Sequence, residues 1–438
     1  MQESQSTRRT FLLKAATTAA AVSAASQIDI AANAYAGAGD SLKIGLVGCG
    51  GRGTGAAEQA LLADKGNALY AMGDAFASQI EASHSSLKGS PALGVGERVD
   101  VPSSRRYVGF DAYKQVIDDC DVVLLTTPPG FRPIHFSYAV EKGKHAFVEK
   151  PMAVDGPGLR KFIEAAKLSK EKGLSVVNGF CWRYFAPRRE LMARVHGGEI
   201  GPIVSIETTY NSQGVWEPDH EQHLPRAKCE SEMEYQMRNW YYYSWLSGDH
   251  IVEQAVHGLD TMAWAMNDVP PMRCWGVGGR QVRTEPKYGN IFDHFSIVYE
   301  YPEDIRGYHQ CRHWANTQPR VSDYILGTKG RADVFGRKIT GATNWRYRAT
   351  DGAPPLDMYQ SEHNEMFAGL RADKPINNAE KAATSTLLAL MGRMAAYTGE
   401  VITWDKALGS KEALVPETFA WGDAPHQPVP IPGVTKFS

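Results

Sequence analysis

The residues best equipped for chemistry fall into two clusters. In the first, Glu149-Lys150-Pro151 closes a short apolar run. A lysine at such a position can donate to a substrate hydroxyl or a bound carbonyl, and its charge can lower the pKa of a hydroxyl being oxidised. For a lone lysine, a surface salt bridge is the ordinary alternative. The second cluster runs from Gly248 through Asp249, His250, Glu253 and His257 to Asp260. Read as one helix, it sets Glu253 and His257 four residues apart on one face, with His250 and Asp260 three residues beyond them on either side. A carboxylate beside an imidazole orients it and tunes its basicity, which suits a general base for a sugar hydroxyl. A satisfied structural histidine is one alternative. Another is a metal site built from His250, Glu253 and His257 with His220, His223, His309 or His313; no spacing matches a metal motif, and no resident metal is expected.

The elements that position these groups are legible nearby. Gly48-Cys49-Gly50-Gly51-Arg52-Gly53 follows a strand-like run, Leu42 to Val47, and precedes a helical run from Ala56 to Leu62. That is the order of a dinucleotide-binding turn. Gly48 permits the tight turn, Gly50 lets the backbone approach phosphates, and Gly53 allows close helix–strand packing. A second strand, Ala68 to Met72, leads to Asp74, about 20 residues past the loop. A carboxylate there accepts hydrogen bonds from both adenosine ribose hydroxyls and repels a 2′-phosphate, so NAD is expected rather than NADP. A helix N-cap before Ala75 is the alternative for Asp74, and Arg52 is a basic group that could soften the preference. Strands over residues 122–126 and 145–148 end at Thr127-Pro128-Pro129 and at Glu149-Lys150. From Ser41 to about Phe180 the alternation of apolar runs with helical patterns reads as a doubly wound parallel sheet, whose strand ends converge on one crevice.

Beyond Phe180 the pattern is α+β. Strand-like runs near residues 203–210, 274–282, 295–301, 307–313 and 324–326 imply a large, mostly antiparallel open sheet covering the nicotinamide. Between Asn211 and Leu246 lies an irregular insert rich in aromatic residues, among them Trp216, Tyr235, Trp240, Tyr241, Tyr242, Tyr243 and Trp245. Aromatic faces with interleaved hydrogen-bonding groups suit pyranose rings; interface or core packing is the alternative. Trp182, Arg238, Tyr243, Trp245 and Asp260 are the candidate sugar contacts. A long apolar helix spans residues 378–398, and the proline-containing tail from Val415 onward reads as an extended arm crossing a neighbouring surface.

The N-terminal stretch carries Thr7-Arg8-Arg9-Thr10-Phe11-Leu12-Leu13-Lys14, then an uncharged apolar run from Ala15 to about Ser26, then Ala34-Tyr35-Ala36. This is the layout of a twin-arginine export signal with a small-x-small cleavage site. A disordered tail and an uncleaved membrane tether are the alternatives. The run is shorter than the roughly 20 residues a spanning helix needs, so stable membrane insertion is not expected. The expected organisation is a signal at 1–36, an NAD-binding domain at 37–180 and a substrate and oligomerisation domain at 181–438. Export by the twin-arginine machinery would place the protein in the periplasm or outside the cell. The formal charge of -2 offers no footprint for nucleic acid. Six scattered cysteines with no C-x-x-C pair are expected to be mostly free thiols. An exported enzyme meets little free nicotinamide cofactor, which predicts one that is tightly held and regenerated in place.

Glu149-Lys150-Pro151, Thr127-Pro128-Pro129 with His135 downstream, and the run from Ala139 to Glu149 resemble the signature of the glucose-fructose oxidoreductase, inositol dehydrogenase and rhizopine catabolism (Gfo/Idh/MocA) family. The resemblance covers nearly all of the mature chain, through Asn178, Arg183-Tyr184, the Gly198-to-Ile203 segment and Gly327-Thr328-Lys329-Gly330. It implies cofactor contacts at Thr127, Pro128, His135, Glu149, Lys150, Asn178 and Arg183 beside the glycine loop. Similar family members carry an Asp-x-x-x-His-x-x-Asp pattern flanking the hydride-transfer site, where this chain has Glu253, His257 and Asp260. The implied activity is NAD-linked oxidation or reduction of a sugar, glycoside or cyclitol CH–OH group, with His257 as base, Glu253 assisting it and Lys150 polarising the oxygen. A homodimer or homotetramer formed through the open sheet face is implied as well. The family offers two ways to recycle a bound cofactor. One pairs oxidation of one sugar with reduction of another. The other, in glycoside hydrolase family 109, oxidises C3, eliminates the aglycone, adds water and returns the hydride. The Tyr-Pro-Thr-His-Gly stretch associated with that hydrolase is absent, and Val252 to Gly258 stands in its place. A non-catalytic sugar-binding module is the alternative of another class; the presence of both Lys150 and His257 argues against it.

Overall fold

The computed structural model describes residues 41–218, 225–349 and 357–438. Arg8, Arg9 and the Ala34-Tyr35-Ala36 site, with His220 and His223, lie outside the described residues. In the first region, six strands pair in parallel: β1 (Leu42–Val47), β2 (Asn67–Asp74), β3 (Arg106–Val108), β4 (Val122–Leu125), β5 (His145–Val148) and β6 (Val176–Asn178). Their order is β3-β2-β1-β4-β5-β6, the doubly wound arrangement with its switch point between β1 and β4. Runs such as Val122-Val123-Leu124-Leu125 are buried at every position because helices cover both faces. The helix after the glycine loop begins at Gly51, not at Ala56: the second half of the loop is itself the first helical turn, closed by the Thr54 N–H on the Gly50 carbonyl at 2.9 Å.

The second sheet has nine strands: β7 (Ile203–Ser212), β8 (Arg273–Gly279), β9 (His294–Glu300), β10 (Arg306–His313), β11 (Arg320–Gly327), β12 (Gly330–Asp333), β13 (Lys338–Gly341), β14 (Trp345–Arg346) and β15 (Ile402–Thr403). Their order is β14-β13-β12-β11-β7-β10-β9-β8-β15, and only the β7/β10 pair is parallel. One face packs on the helices Val256–Ala265 and Ala379–Thr398. The latter is buried nearly throughout and stops at Gly399, whose φ of 75° supplies the left-handed C-cap. Among the described residues no helix is long and apolar enough to cross a membrane. Cys49, Cys120, Cys181, Cys274 and Cys311 are buried free thiols.

Two local readings need correction. The insert after β7 is partly ordered into a helix, Glu232–Arg238, capped by Ser231, whose hydroxyl accepts the Glu234 N–H at 3.2 Å. The stretch from Gly248 to Asp260 is not one helix. Gly248 and Asp249 both have left-handed φ (79° and 86°), a short turn covers His250–Glu253, and a separate helix starts at Val256. At the break the N–H groups of Gln254 and Ala255 both point to the His250 carbonyl, and the His257 N–H turns to Gln254 instead of Glu253. The Glu253 carbonyl is thereby left free for another donor.

Candidate active site

A cavity of about 600 Å³ lies beyond the carboxyl ends of β1, β2, β4 and β5. Gly48, Gly50, Gly51, Arg52 and Gly53 line it. A Cβ on Gly50 or Gly51 would meet nothing within 4 Å and would project into open space, so the bare backbone forms a cradle at a helix N-terminus. Gly53 has no such room: a Cβ there would lie 2.0 Å from the Gly48 carbonyl oxygen. Gly53→Ala is therefore expected to open the loop and cost about 1–3 kcal/mol of stability, read as a lowered melting temperature together with weakened binding of NADH. Cys49 is in the loop but not in the cavity. Its thiol is buried against the Gly73 carbonyl at 3.6 Å, and burial holds the pKa well above the ordinary thiol range.

Asp74 lines the cavity at the end of β2. One carboxylate oxygen accepts the Cys49 N–H at 2.7 Å and the other accepts the Phe76 N–H at 2.9 Å. Phe76, not Asp74, occupies the N-cap of the helix Ala77–Lys88. Burial raises the Asp74 pKa, and the backbone N–H groups pull against that. The carboxylate thus anchors the glycine loop and presents its remaining lone pairs to the cavity, as a ribose-binding group must.

At the other end stand Lys150, Glu253, Gln254, His257 and Trp182. Lys150 Nζ donates to Glu253 Oε1 at 2.7 Å and to the Glu253 carbonyl at 2.5 Å, the carbonyl freed by the helix break. Both side chains are largely buried, at 11% and 9% exposure, so this is an enclosed ion pair. The expected support of His257 by Glu253 is absent: His257 Nδ1 and Glu253 Oε2 have no hydrogen-bond partner. Instead, the His257 ring stacks on Trp182, with centroids 4.9 Å apart and planes 29° apart, and the Arg188 guanidinium lies 3.8 Å from the Trp182 ring centroid. Burial first, then the positive charges of Lys150 and Arg188, push the His257 pKa well below the ordinary imidazole value. The imidazole is neutral and able to accept a proton.

Thr127, Pro128, His135 and Glu149 also line the cavity. Thr127 Oγ1 and His135 Nδ1 are 3.2 Å apart. Burial, then Arg132, pushes the His135 pKa down to about 3. Glu149 is already engaged, since one oxygen accepts Arg52 Nε at 2.5 Å and the other accepts the Lys150 N–H at 3.0 Å.

Other expected site residues lie elsewhere. Asn178 donates to Asn378 Oδ1 at 2.5 Å and ties β6 to the long helix. Arg183 is locked between Asp260 and Asp268, with shortest contacts of 2.9 and 2.6 Å, so neither Arg183 nor Asp260 reaches the cavity. His250 is fully buried, bonded to the Tyr241 hydroxyl at 2.6 Å and stacked on His313. Trp245 is core, its indole N–H donating to Gln236 at 2.7 Å, and the Tyr243 hydroxyl accepts from Arg226 at 3.0 Å. Arg238 does line the cavity, but at the Asp74 end, with its guanidinium 4.2 Å from the Phe76 ring centroid. Among the described residues no group of three or more His, Cys, Asp or Glu side chains is placed to hold a metal ion.

Sequence reasoning missed two supports. The buried Arg132 guanidinium donates to the Thr127 carbonyl at 2.6 Å and to the Pro151 carbonyl at 2.9 Å, fastening both strand-end motifs to each other. Arg52 binds Glu362 at 3.0 Å as well as Glu149, linking the glycine loop to the helix Met358–Arg371. Burial drives the Glu362 pKa well above the carboxylate range, and Arg52 is the charge that opposes this. Arg52→Ala is expected to cost about 3 kcal/mol by leaving buried carboxyls uncompensated, measured by denaturant unfolding, with Glu362→Gln in the same background restoring part of the loss. No local signal could have found Glu362, which lies 310 residues from Arg52.

A doubly wound parallel sheet, a glycine cradle at a helix N-terminus, a carboxylate at the end of the second strand and a lysine at the opposite end of the cavity are the arrangement of a dinucleotide-binding domain, here joined to an open-sheet domain. The chain belongs to the Gfo/Idh/MocA family: "Oxidoreductase family, NAD-binding Rossmann fold" matches residues 42–180, and "GFO/IDH/MocA C-terminal domain" matches residues 189–333. It is similar to 2,7-anhydro-N-acetylneuraminate hydratase of Escherichia coli K12, 24% identical over 51% of this chain and 53% of that protein. It is also similar to inositol 2-dehydrogenase 3 of Saccharopolyspora erythraea, 28% identical over 41% of this chain and 42% of that protein. The chain thus spans about half the length of these curated relatives. Aldose-aldose oxidoreductase of Caulobacter crescentus, solved with glycerol, shares the fold at a TM-score of 0.62 and 17% identity, over 83% of this chain and all (100%) of that one.

Proposed function

We propose that this protein oxidises a CH–OH group of a sugar, glycoside or cyclitol on an NAD molecule that it holds tightly and recycles within one site. The observation that carries the reading is the pairing, in one cavity, of the glycine cradle and Asp74 with the buried Lys150–Glu253 pair and a neutral His257. When bound, NAD supplies the acceptor for the hydride leaving the carbinol carbon. Lys150 donates to the substrate oxygen, held in place by the Glu253 side chain and carbonyl. His257 accepts the hydroxyl proton, its ring held flat by Trp182. Glu253 orients the lysine, not the imidazole. NAD is preferred over NADP because Asp74 would repel a 2′-phosphate.

The succession of Arg8-Arg9, an apolar run and Ala34-Tyr35-Ala36 in the sequence supports export by the twin-arginine pathway, with the mature protein divided near residue 180. The open face of the nine-stranded sheet carries Val277, Tyr308 and Leu326 at 68%, 45% and 39% exposure, a surface suited to a homodimer or homotetramer. A second reading, a redox-neutral cycle that adds water or cleaves a glycoside, is favoured by the name of the E. coli relative, a hydratase. Heat release of cofactor from the purified protein, identified by mass spectrometry, tests the main reading. Near-stoichiometric NAD(H) is expected; protein that carries none and accumulates NADH only with added NAD would make it an ordinary dehydrogenase.

A further inference from the structure

Two wall phenylalanines from different strand ends, the insert and the C-terminal arm meet at the Asp74 end of the cavity. Phe76 and Phe110, which follow β2 and β3, form part of the wall. Arg238, the last residue of the insert helix Glu232–Arg238, reaches the same end; its guanidinium lies over the Phe76 ring and its Nε is fixed by Glu234 Oε1 at 2.8 Å. The C-terminal arm crosses the outside of this wall. Trp421 packs 4.7 Å from Phe110 and 5.4 Å from Phe76, while Phe419 packs 5.7 Å from Phe110 and 4.8 Å from Phe131. Neither arm residue lines the cavity itself, so both act as backing for rings that do.

The Asp74 end is where the adenosine ribose of a dinucleotide lies in this kind of sheet. A planar guanidinium held over an aromatic ring offers both stacking and positive charge to that half of the molecule. We infer that Arg238 and Trp421 form a clamp on the adenosine half of the bound dinucleotide, Arg238 by contact and Trp421 by positioning Phe76 and Phe110, and that this clamp sets how slowly the cofactor leaves. The inference rests on the reading of the cavity as the seat of a retained NAD. It assigns Arg238 to the cofactor, away from the sugar, and gives the C-terminal arm a role in cofactor retention. Leaving the site requires the insert, the two wall phenylalanines and the arm to separate together, whereas the glycine cradle alone presents an open backbone surface.

The test uses full-length Arg238→Ala and Trp421→Ala proteins loaded with NADH, with release followed by nicotinamide fluorescence after a chase of excess NAD. Release is expected to be at least tenfold faster in both variants, with Trp421→Phe restoring slow release. Trp421 is 48% exposed, so its truncation leaves the core intact and melting temperatures should stay close to that of the unaltered protein. Unchanged release rates in both folded variants would overturn the clamp while leaving the functional reading in place. Failure of the unaltered protein to take up NADH would overturn the functional reading itself.

Discussion

Lys150→Met should lower kcat by about 10²–10⁴-fold while the purified protein keeps its bound NAD. The lysine stands at the end of the cavity opposite Asp74, and it is held by two acceptors on the same residue, Glu253. Its geometry depends on the broken helix: a continuous helix would consume the Glu253 carbonyl internally. Methionine removes the charge and keeps the length, but it also leaves the Glu253 carboxylate buried and unpaired. The double variant Lys150→Met, Glu253→Gln separates these effects. Neutralising the carboxylate should recover stability and leave kcat low. If the double variant regains activity, the lysine serves only to compensate Glu253.

His257→Gln should also reduce kcat by about 10²–10⁴-fold, because glutamine can hydrogen-bond a hydroxyl but cannot take its proton. The pH dependence is more diagnostic. Burial, Lys150 and Arg188 hold the folded-state pKa of His257 well below the unfolded value, so the neutral base persists as pH falls past the ordinary imidazole value. The acid limb of kcat/KM should therefore lie well below about 6.5, the value for a free histidine. The same shift has a stability consequence. A depressed folded pKa contributes stability that is present above the unfolded pKa and is lost as pH falls from there through the folded value. The advantage of the parent protein over His257→Gln in denaturant unfolding should therefore shrink with acidification. A limb centred near 6.5 would mean that the imidazole is solvated in the working enzyme.

The parts of this site that could be read in the sequence are those set by short-range patterns. The glycine loop, the apolar strands and the carboxylate at Asp74 have fixed spacings, and Lys150 closes a strand, so each could be placed without knowledge of the rest. The failures arise where tertiary packing overrides a local pattern. A helical stripe of His250, Glu253, His257 and Asp260 is a fair reading of spacing, yet the left-handed Gly248–Asp249 start and the break at Gln254 send these four residues to different neighbours. Asp260 is drawn to Arg183 and Ser385, and His250 into the core beside Tyr241. The aromatic insert was legible as a composition but not as a direction: Trp245 and Tyr243 turn inward, whereas Arg238 reaches the Asp74 end of the cavity. Glu362, Phe419 and Trp421 are recruited across long sequence separations, for which no periodicity exists.

In the proposed reaction a carbinol carbon exchanges hydride with a cofactor that stays in this cavity. Its most direct test is the absorbance at 340 nm of the purified protein, without added cofactor, as a panel of aldoses, cyclitols and glycosides is introduced singly and then in pairs. One compound should raise the absorbance by no more than one equivalent of NADH per bound cofactor, and a second sugar or a cleavage product should return it to baseline with Lys150 and His257 intact. A bound cofactor whose absorbance responds to none of these compounds, or one that is reduced only after dissociating into solution, would contradict it.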